Sequence, residues 1–261
     1  MSKTKQRFKL SLIIICFLLL VVLMTVAFVL GTEGTGSLPE PSTPTISANT
    51  APAKKQKVNL WEMISDALEG EKVKETEEIT KRTSKVADAD KPSVYICGLG
   101  NWGTANHLTS SSGYAPFKIA KVNNVTDSMS FVGNVVLEEE IFVSQGKFTD
   151  VIILDAAAVK NLKPLLADDP TLFDSYKAWQ NGEVYLEMAY NAYYTNYEIA
   201  LINTWFVAKC VYPDLFGDLD MTEKTNEITE KFLGKALAEE IFACPSSFGG
   251  YQKIDLATFF K

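Results

Sequence analysis

The chain has 261 residues, with 25 basic and 32 acidic ones and a formal net charge of −7. That length allows one or two ordinary domains. The acidic balance repels phosphate backbones, so no nucleic-acid partner is expected.

Residues 10–30 form a continuous apolar run interrupted only by Ser11 and Thr25. At a rise of about 1.5 Å per residue such a run spans a bilayer core. Lys3, Lys5, Arg7 and Lys9 precede it and no acidic residue does, which predicts a cytoplasmic N-terminus and an external remainder. A cleavable signal, with Val29-Leu30-Gly31 as its small-residue site, is the competing reading; the length of the run favours an uncleaved anchor. The expectation is thus a single-pass cell-membrane protein whose domain lies on the extracytoplasmic side. Cys16 sits in mid-run and does not look like a lipidated cysteine. Beyond the run, 21 basic residues face 32 acidic ones, a net of −11.

The composition divides the chain into four parts: a basic stub and anchor over 1–31, a Pro/Ser/Thr-rich linker over 32–57, a helix over 58–90 and an α/β lobe over 91–261. Leu60, Trp61, Ile64 and Leu68 recur at helical spacing in the third part. The Lys- and Glu-dense stretch after Gly70 keeps a narrow apolar stripe at Val73, Ile79 and Val86. From Lys91 strands alternate with helices. Strands are predicted at 93–97, 150–154 and 183–186, and helices at 138–145, 159–166, 171–180, 196–211, 222–233 and 235–242. This order implies a Rossmann-like, mostly parallel sheet with helices on both faces.

Open parallel sheets bind ligands at the carboxyl ends of their strands. The segments 98–107, 155–158 and 187–194 occupy that position. They supply the candidate ligand residues Asn101, Trp102, His107, Glu187, Tyr190, Asn191, Tyr193 and Tyr194, whose aromatic and amide groups suit a large, oxygen-rich, partly apolar ligand. His107 is the sole histidine, so no Ser-His-Asp set or histidine zinc site forms, and it reads either as an ordinary hydrogen-bonding residue or as a chelate contact. Whether any residue ligates a metal stays open, and no resident cofactor is expected. Gly98, Gly100 and Gly103 match the dinucleotide fingerprint after a strand. The following segment carries one Leu before Gly113 and Pro116, too little for the helix the fingerprint requires, so an oxidoreductase is the lesser alternative. Glu138, Glu139 and Glu140 read either as an acidic first helical turn or as a permease-docking contact. Cys97, Cys210 and Cys244 are widely spaced; buried small hydrophobes or one disulfide both fit.

The segment from Lys91 to His107 resembles the opening of the C-terminal lobe in iron-chelate and cobalamin-type substrate-binding proteins of ABC importers. Thr149-Asp-Val-Ile-Ile-Leu154, Trp179-Gln-Asn-Gly-Glu-Val-Tyr185, Asn191–Glu198, Lys209–Pro213, Phe232-Leu-Gly234 and Gly249–Asp255 follow in that family's order. The resemblance implies two Rossmann-like lobes joined by a long helix, ligand held between them, and an acidic residue of each lobe offered to the permease. It further implies a non-enzyme that carries an iron chelate or corrinoid, with a permease and an ATPase as partners. Where the family has its N-terminal lobe, this chain has the apolar run and the tether, so a single lobe is expected. The alternative is a tethered half-domain that pairs with a separate lobe or with a second copy as a scaffold.

Overall fold

In the computed structural model, residues 72–100, 105–191 and 195–261 are described, and all lie in one unit spanning Lys57–Lys261. The expected anchor, the linker and the first part of the helix expected over 58–90 fall outside them, as do Asn101, Trp102, Tyr193 and Tyr194; within them that helix stops at Thr83, not at 90. Among the described residues no helix is long and apolar enough to cross a membrane.

Helix α1 covers Lys72–Thr83, and β1 covers Ser93–Cys97. They are followed by β2 (Thr109–Ser112), α2 (Ala115–Ala120), β3 (Asn123–Asn124), β4 (Gly133–Val136) and α3 (Glu139–Gln145). Then come β5 (Val151–Asp155), α4 (Ala156–Asp168), α5 (Lys177–Gln180) and β6 (Val184–Glu187). The chain closes with α6 (Tyr197–Val211), α7 (Pro213–Phe216), α8 (Met221–Leu233), α9 (Ala238–Ala243) and β7 (Gln252–Lys253).

The main sheet has the order β3-β1-β5-β6-β7. The first four strands are parallel and β7 is antiparallel. β5 is buried along its whole length, as a strand covered on both faces must be. The register sets which side chains share a face. Ile96 lies opposite Ile153, Ile153 opposite Tyr185, and Asp155 opposite Glu187. Tyr185 meets Phe206 of α6, so Ile96, Ile153, Asp155 and Glu187 point to the α6 side. Tyr95, one residue out of phase, meets Phe142 of α3 and Tyr176 on the other side.

Helix α6 is buried from Ile199 through Ala208, the pattern of a helix enclosed on all sides. It packs against α2, α8 and α1. Burying Ile202 or Val207 there stabilises the fold by about 1.5–3 kcal/mol each.

The mostly parallel α/β lobe matches the sequence expectation, with strand and helix ends shifted by a residue or so in most elements. Three differences have physical causes. A small antiparallel pair, β2–β4, was not expected, because Thr109-Ser-Ser-Ser112 carries no apolar signal. Helix α4 begins at Ala156, not 159, because the Asp155 carboxylate accepts the Ala157 N–H at 2.7 Å and caps it. The expected helix over 171–180 shrinks to α5. Asp169 captures the backbone N–H and hydroxyl of Thr171 in a turn, and Phe173 and Tyr176 go into the core.

Candidate functional site at the carboxyl edge of the sheet

Chain direction reverses between β1 and β5. From β1 the chain proceeds to α2 and the outer strand β3; from β5 it proceeds through α4 to β6. Open α/β sheets hold ligands in the crevice at such a point. Here the chain fills that crevice itself. Gly98 has φ +77°, and a Cβ built on it would lie 2.2 Å from Ala158 Cβ. A Cβ on Gly100 would lie 2.9 Å from Ala157 Cβ and 3.1 Å from the Asn191 carbonyl oxygen. The glycines therefore let the loop after β1 lie flat on the first turn of α4. The Gly100 N–H donates to Asp155 Oδ2 at 3.2 Å. Gly98 and Leu99 donate to the Thr109 carbonyl, which leads into strand β2. The dinucleotide fingerprint needs a helix there with its amino end open to phosphate. The helix that the loop does meet, α4, is already capped by a carboxylate.

Asp155 and Glu187 end adjacent strands and are both fully buried. Tyr114 donates its hydroxyl to Glu187 Oε1 at 2.5 Å, while Glu187 Oε2 has no hydrogen-bond partner among the described residues. Burial pushes the Asp155 carboxyl up to about 6, against the pull of two backbone N–H donors. Burial, then the nearby Asp155 charge, pushes Glu187 well above the usual carboxylate range, opposed by the Tyr114 hydroxyl. Burial likewise raises Tyr114 and Tyr190, which face each other at 6.1 Å.

Of the expected ligand residues, Glu187, Tyr190 and Asn191 come together at this edge. Glu187 and Tyr190 are sealed inside it, Tyr190 at 4% exposure. His107 does not join them. It is 5% exposed and lies on the α3 side of the sheet, packed edge-on against Phe142 at 4.9 Å, with its carbonyl accepting the Tyr95 hydroxyl. Its Nε2 lies 3.2 Å from Glu139 Oε1. His107 lies in the turn before β2 and Tyr190 in the loop after β6; the two loops pack on opposite sides of the sheet, which sequence spacing alone does not reveal. Glu139 and Glu140 form the acidic first turn of α3 with Glu138 at the cap position, and all three are exposed. Among the described residues Cys97, Cys210 and Cys244 are free thiols, the first buried and the last exposed. No cluster of three or more His, Cys, Asp or Glu side chains able to hold a metal occurs among the described residues.

Beside the filled crevice lies an open cavity of about 590 Å³. Ala156, Ala157 and Lys160 of α4, Met188 and Ala189 after β6, Ile199 of α6, Ile241 of α9, and Pro245 to Phe248 line it. Sequence reasoning missed this wall from the C-terminal segment; the signal available was Gly249-Gly250, both at φ +92°, which turn the chain back toward β7. Asn203 of α6 fixes the floor, donating to the Met188 carbonyl at 2.8 Å and accepting from the Tyr251 hydroxyl at 2.6 Å. Lys160 is exposed at one side. The cavity offers apolar walls, a few hydroxyls and one cation, and its size falls in the range of small-molecule sites, about 300–1,000 Å³.

No protein-family model matches the sequence, and no curated protein matches it. Several solved structures do match. The molybdate periplasmic binding protein MolA of a Haemophilus influenzae ABC transporter is 18% identical, with a TM-score of 0.49 over 63% of this chain and 48% of that one. An ABC transporter solute binding protein from Sulfurospirillum deleyianum is 18% identical, with a TM-score of 0.48 over 64% and 51%. The TroA-like periplasmic binding protein FepB from Veillonella parvula is 18% identical, with a TM-score of 0.46 over 63% and 51%. The chain spans about half the length of these solute-binding proteins.

Proposed function

We propose that the lobe is the solute-binding component of an ABC importer for iron chelates or related metal complexes, held at the extracytoplasmic face of the membrane by residues 10–30. Its partners would be the permease and ATPase of that importer, with Glu138, Glu139 and Glu140 exposed for docking. The observation that carries the reading is the cavity of about 590 Å³ outside the carboxyl ends of β5 and β6. A parallel sheet presents solute contacts at that edge. The order of motifs from Lys91 to Asp255 supports the family resemblance.

One lobe covers a solute from one side only, while the entropy cost of association is incurred in full. Binding by the single chain is therefore expected near about 1 mM, against micromolar or better for a closed two-lobed cleft. Titration calorimetry with a ferric siderophore and with cobalamin tests this. Weak binding that Ala189→Trp abolishes by filling the cavity supports the reading; no binding of either solute, or binding untouched by Ala189→Trp, overturns it.

A second reading, the half-domain that pairs with another lobe or a second copy, is favoured by apolar side chains left in solvent. Val132 is 86% exposed, Val136 60% and Phe148 58%. A sedimentation profile that stays monomeric, alone and with a candidate lobe, removes this reading.

A further inference from the structure

We infer that the Asp155–Glu187 pair is a proton-binding site that ties closure of the flanking segments, 98–100 and 188–191, to pH. The inference does not depend on the nature of the solute.

The geometry is that of two carboxyl groups in a dry place with donors for one charge. Their Cα atoms are register partners on β5 and β6, and both side chains point to the α6 side, fully buried. Asp155 uses both oxygens, on the Gly100 and Ala157 N–H groups, which suits a carboxylate. Glu187 has one donor, Tyr114, and a bare Oε2, which suits a carboxylic acid. Among the described residues the titratable groups within electrostatic reach are Tyr114 before α2, Tyr190 after β6, Tyr251 before β7, Cys210 on α6 and Cys97 on β1. None of these carries a positive charge. Losing the Glu187 proton would place a second, uncompensated charge in the interior. The available relief is water entering where Gly100 and Asn191 close over the pair.

The sign follows from linkage. Unfolded carboxyls lose their protons near pH 4. In the fold Asp155 keeps its proton up to about 6, and burial beside Asp155 holds the Glu187 carboxyl well above the ordinary carboxylate range. Between those limits the folded chain binds more protons than the unfolded one, so stability falls as pH rises.

The test uses the full chain, its infrared spectrum and its melting midpoint from pH 5 to 8. A protonated-carboxyl band at pH 7 that disappears in Glu187→Gln is expected. So is a midpoint that falls by on the order of 5 °C over this range, and by less than half as much in Glu187→Gln. Hydrogen exchange at 98–100 and 188–191 should rise with pH beyond its intrinsic dependence in the natural chain only. If Glu187→Gln does not fold, Tyr114→Phe substitutes for it: losing the Oε1 donor should carry the loss of the protonated-carboxyl band to higher pH. No protonated band at pH 7, equal slopes in the two chains, or a band lost at an unmoved pH in Tyr114→Phe would each overturn the inference.

Discussion

Two buried glutamates in this lobe meet the same difficulty in opposite ways. Glu75 of α1 is 6% exposed and is met by cations: Lys224 of α8 at 3.4 Å and Lys231 at 3.7 Å. Lys224 also lies over the Trp205 ring at 4.3 Å and pairs with Glu227 at 2.6 Å. Among the described residues Glu187 meets no cation, only a tyrosine hydroxyl and a neighbouring acid. The first arrangement fastens two helices together; the second leaves a group whose state the solvent can set. A buried acid next to lysines therefore reads as architecture, and a buried acid next to another acid reads as chemistry held in reserve.

The contrast can be broken from either side. The largest effect is expected from Lys224→Met, which strips Glu75 of its nearest cation and should lower the unfolding free energy by about 3 kcal/mol in a denaturant titration. Adding Glu75→Gln to that variant should restore much of the loss, which a double-mutant cycle reads directly. Gly98→Ala comes next. It forces a side chain into a left-handed position against Ala158, and should cost about 2 kcal/mol by the same titration. Tyr114→Phe sharpens the contrast, because it takes the single donor from Glu187 Oε1; about 1 kcal/mol is expected at pH 7. The smallest effect is expected from Glu139→Gln, whose carboxylate is largely in solvent where it meets His107, at about 0.5 kcal/mol or less.

The parts of the fold that were legible in the sequence are those whose side chains carry the signal themselves. Val151-Ile-Ile-Leu154 is an apolar run too short for a helix, and α6 is an apolar stretch too long for a strand. The β2–β4 pair was illegible because its strands are made of serine, threonine, glycine and asparagine as much as of valine, and only tertiary pairing defines them. At the candidate site, the strand ends point to the carboxyl edge of the sheet, and Glu187, Tyr190 and Asn191 are found there. Position along the chain could not say that His107 belongs to the opposite face, nor that Asp155 is the cap of α4. Both facts depend on how the loop before β2 packs and on which helix the glycine loop meets. The cavity depends on residues 241–248 returning to β5 and β6 from far along the chain, a contact with no local signature.

The outermost strands of the main sheet are each two residues long, Asn123–Asn124 on one side and Gln252–Lys253 on the other. Amides and a lysine occupy those positions in place of the β-branched residues that line the interior strands. A rim so brief and so polar offers an incoming chain almost no free ladder to extend. The apolar inner strands are thus shielded from intermolecular recruitment, and any clumping of the lobe itself at high concentration should begin at the β4 surface, with Val132 and Val136, before the open margins of the sheet take part.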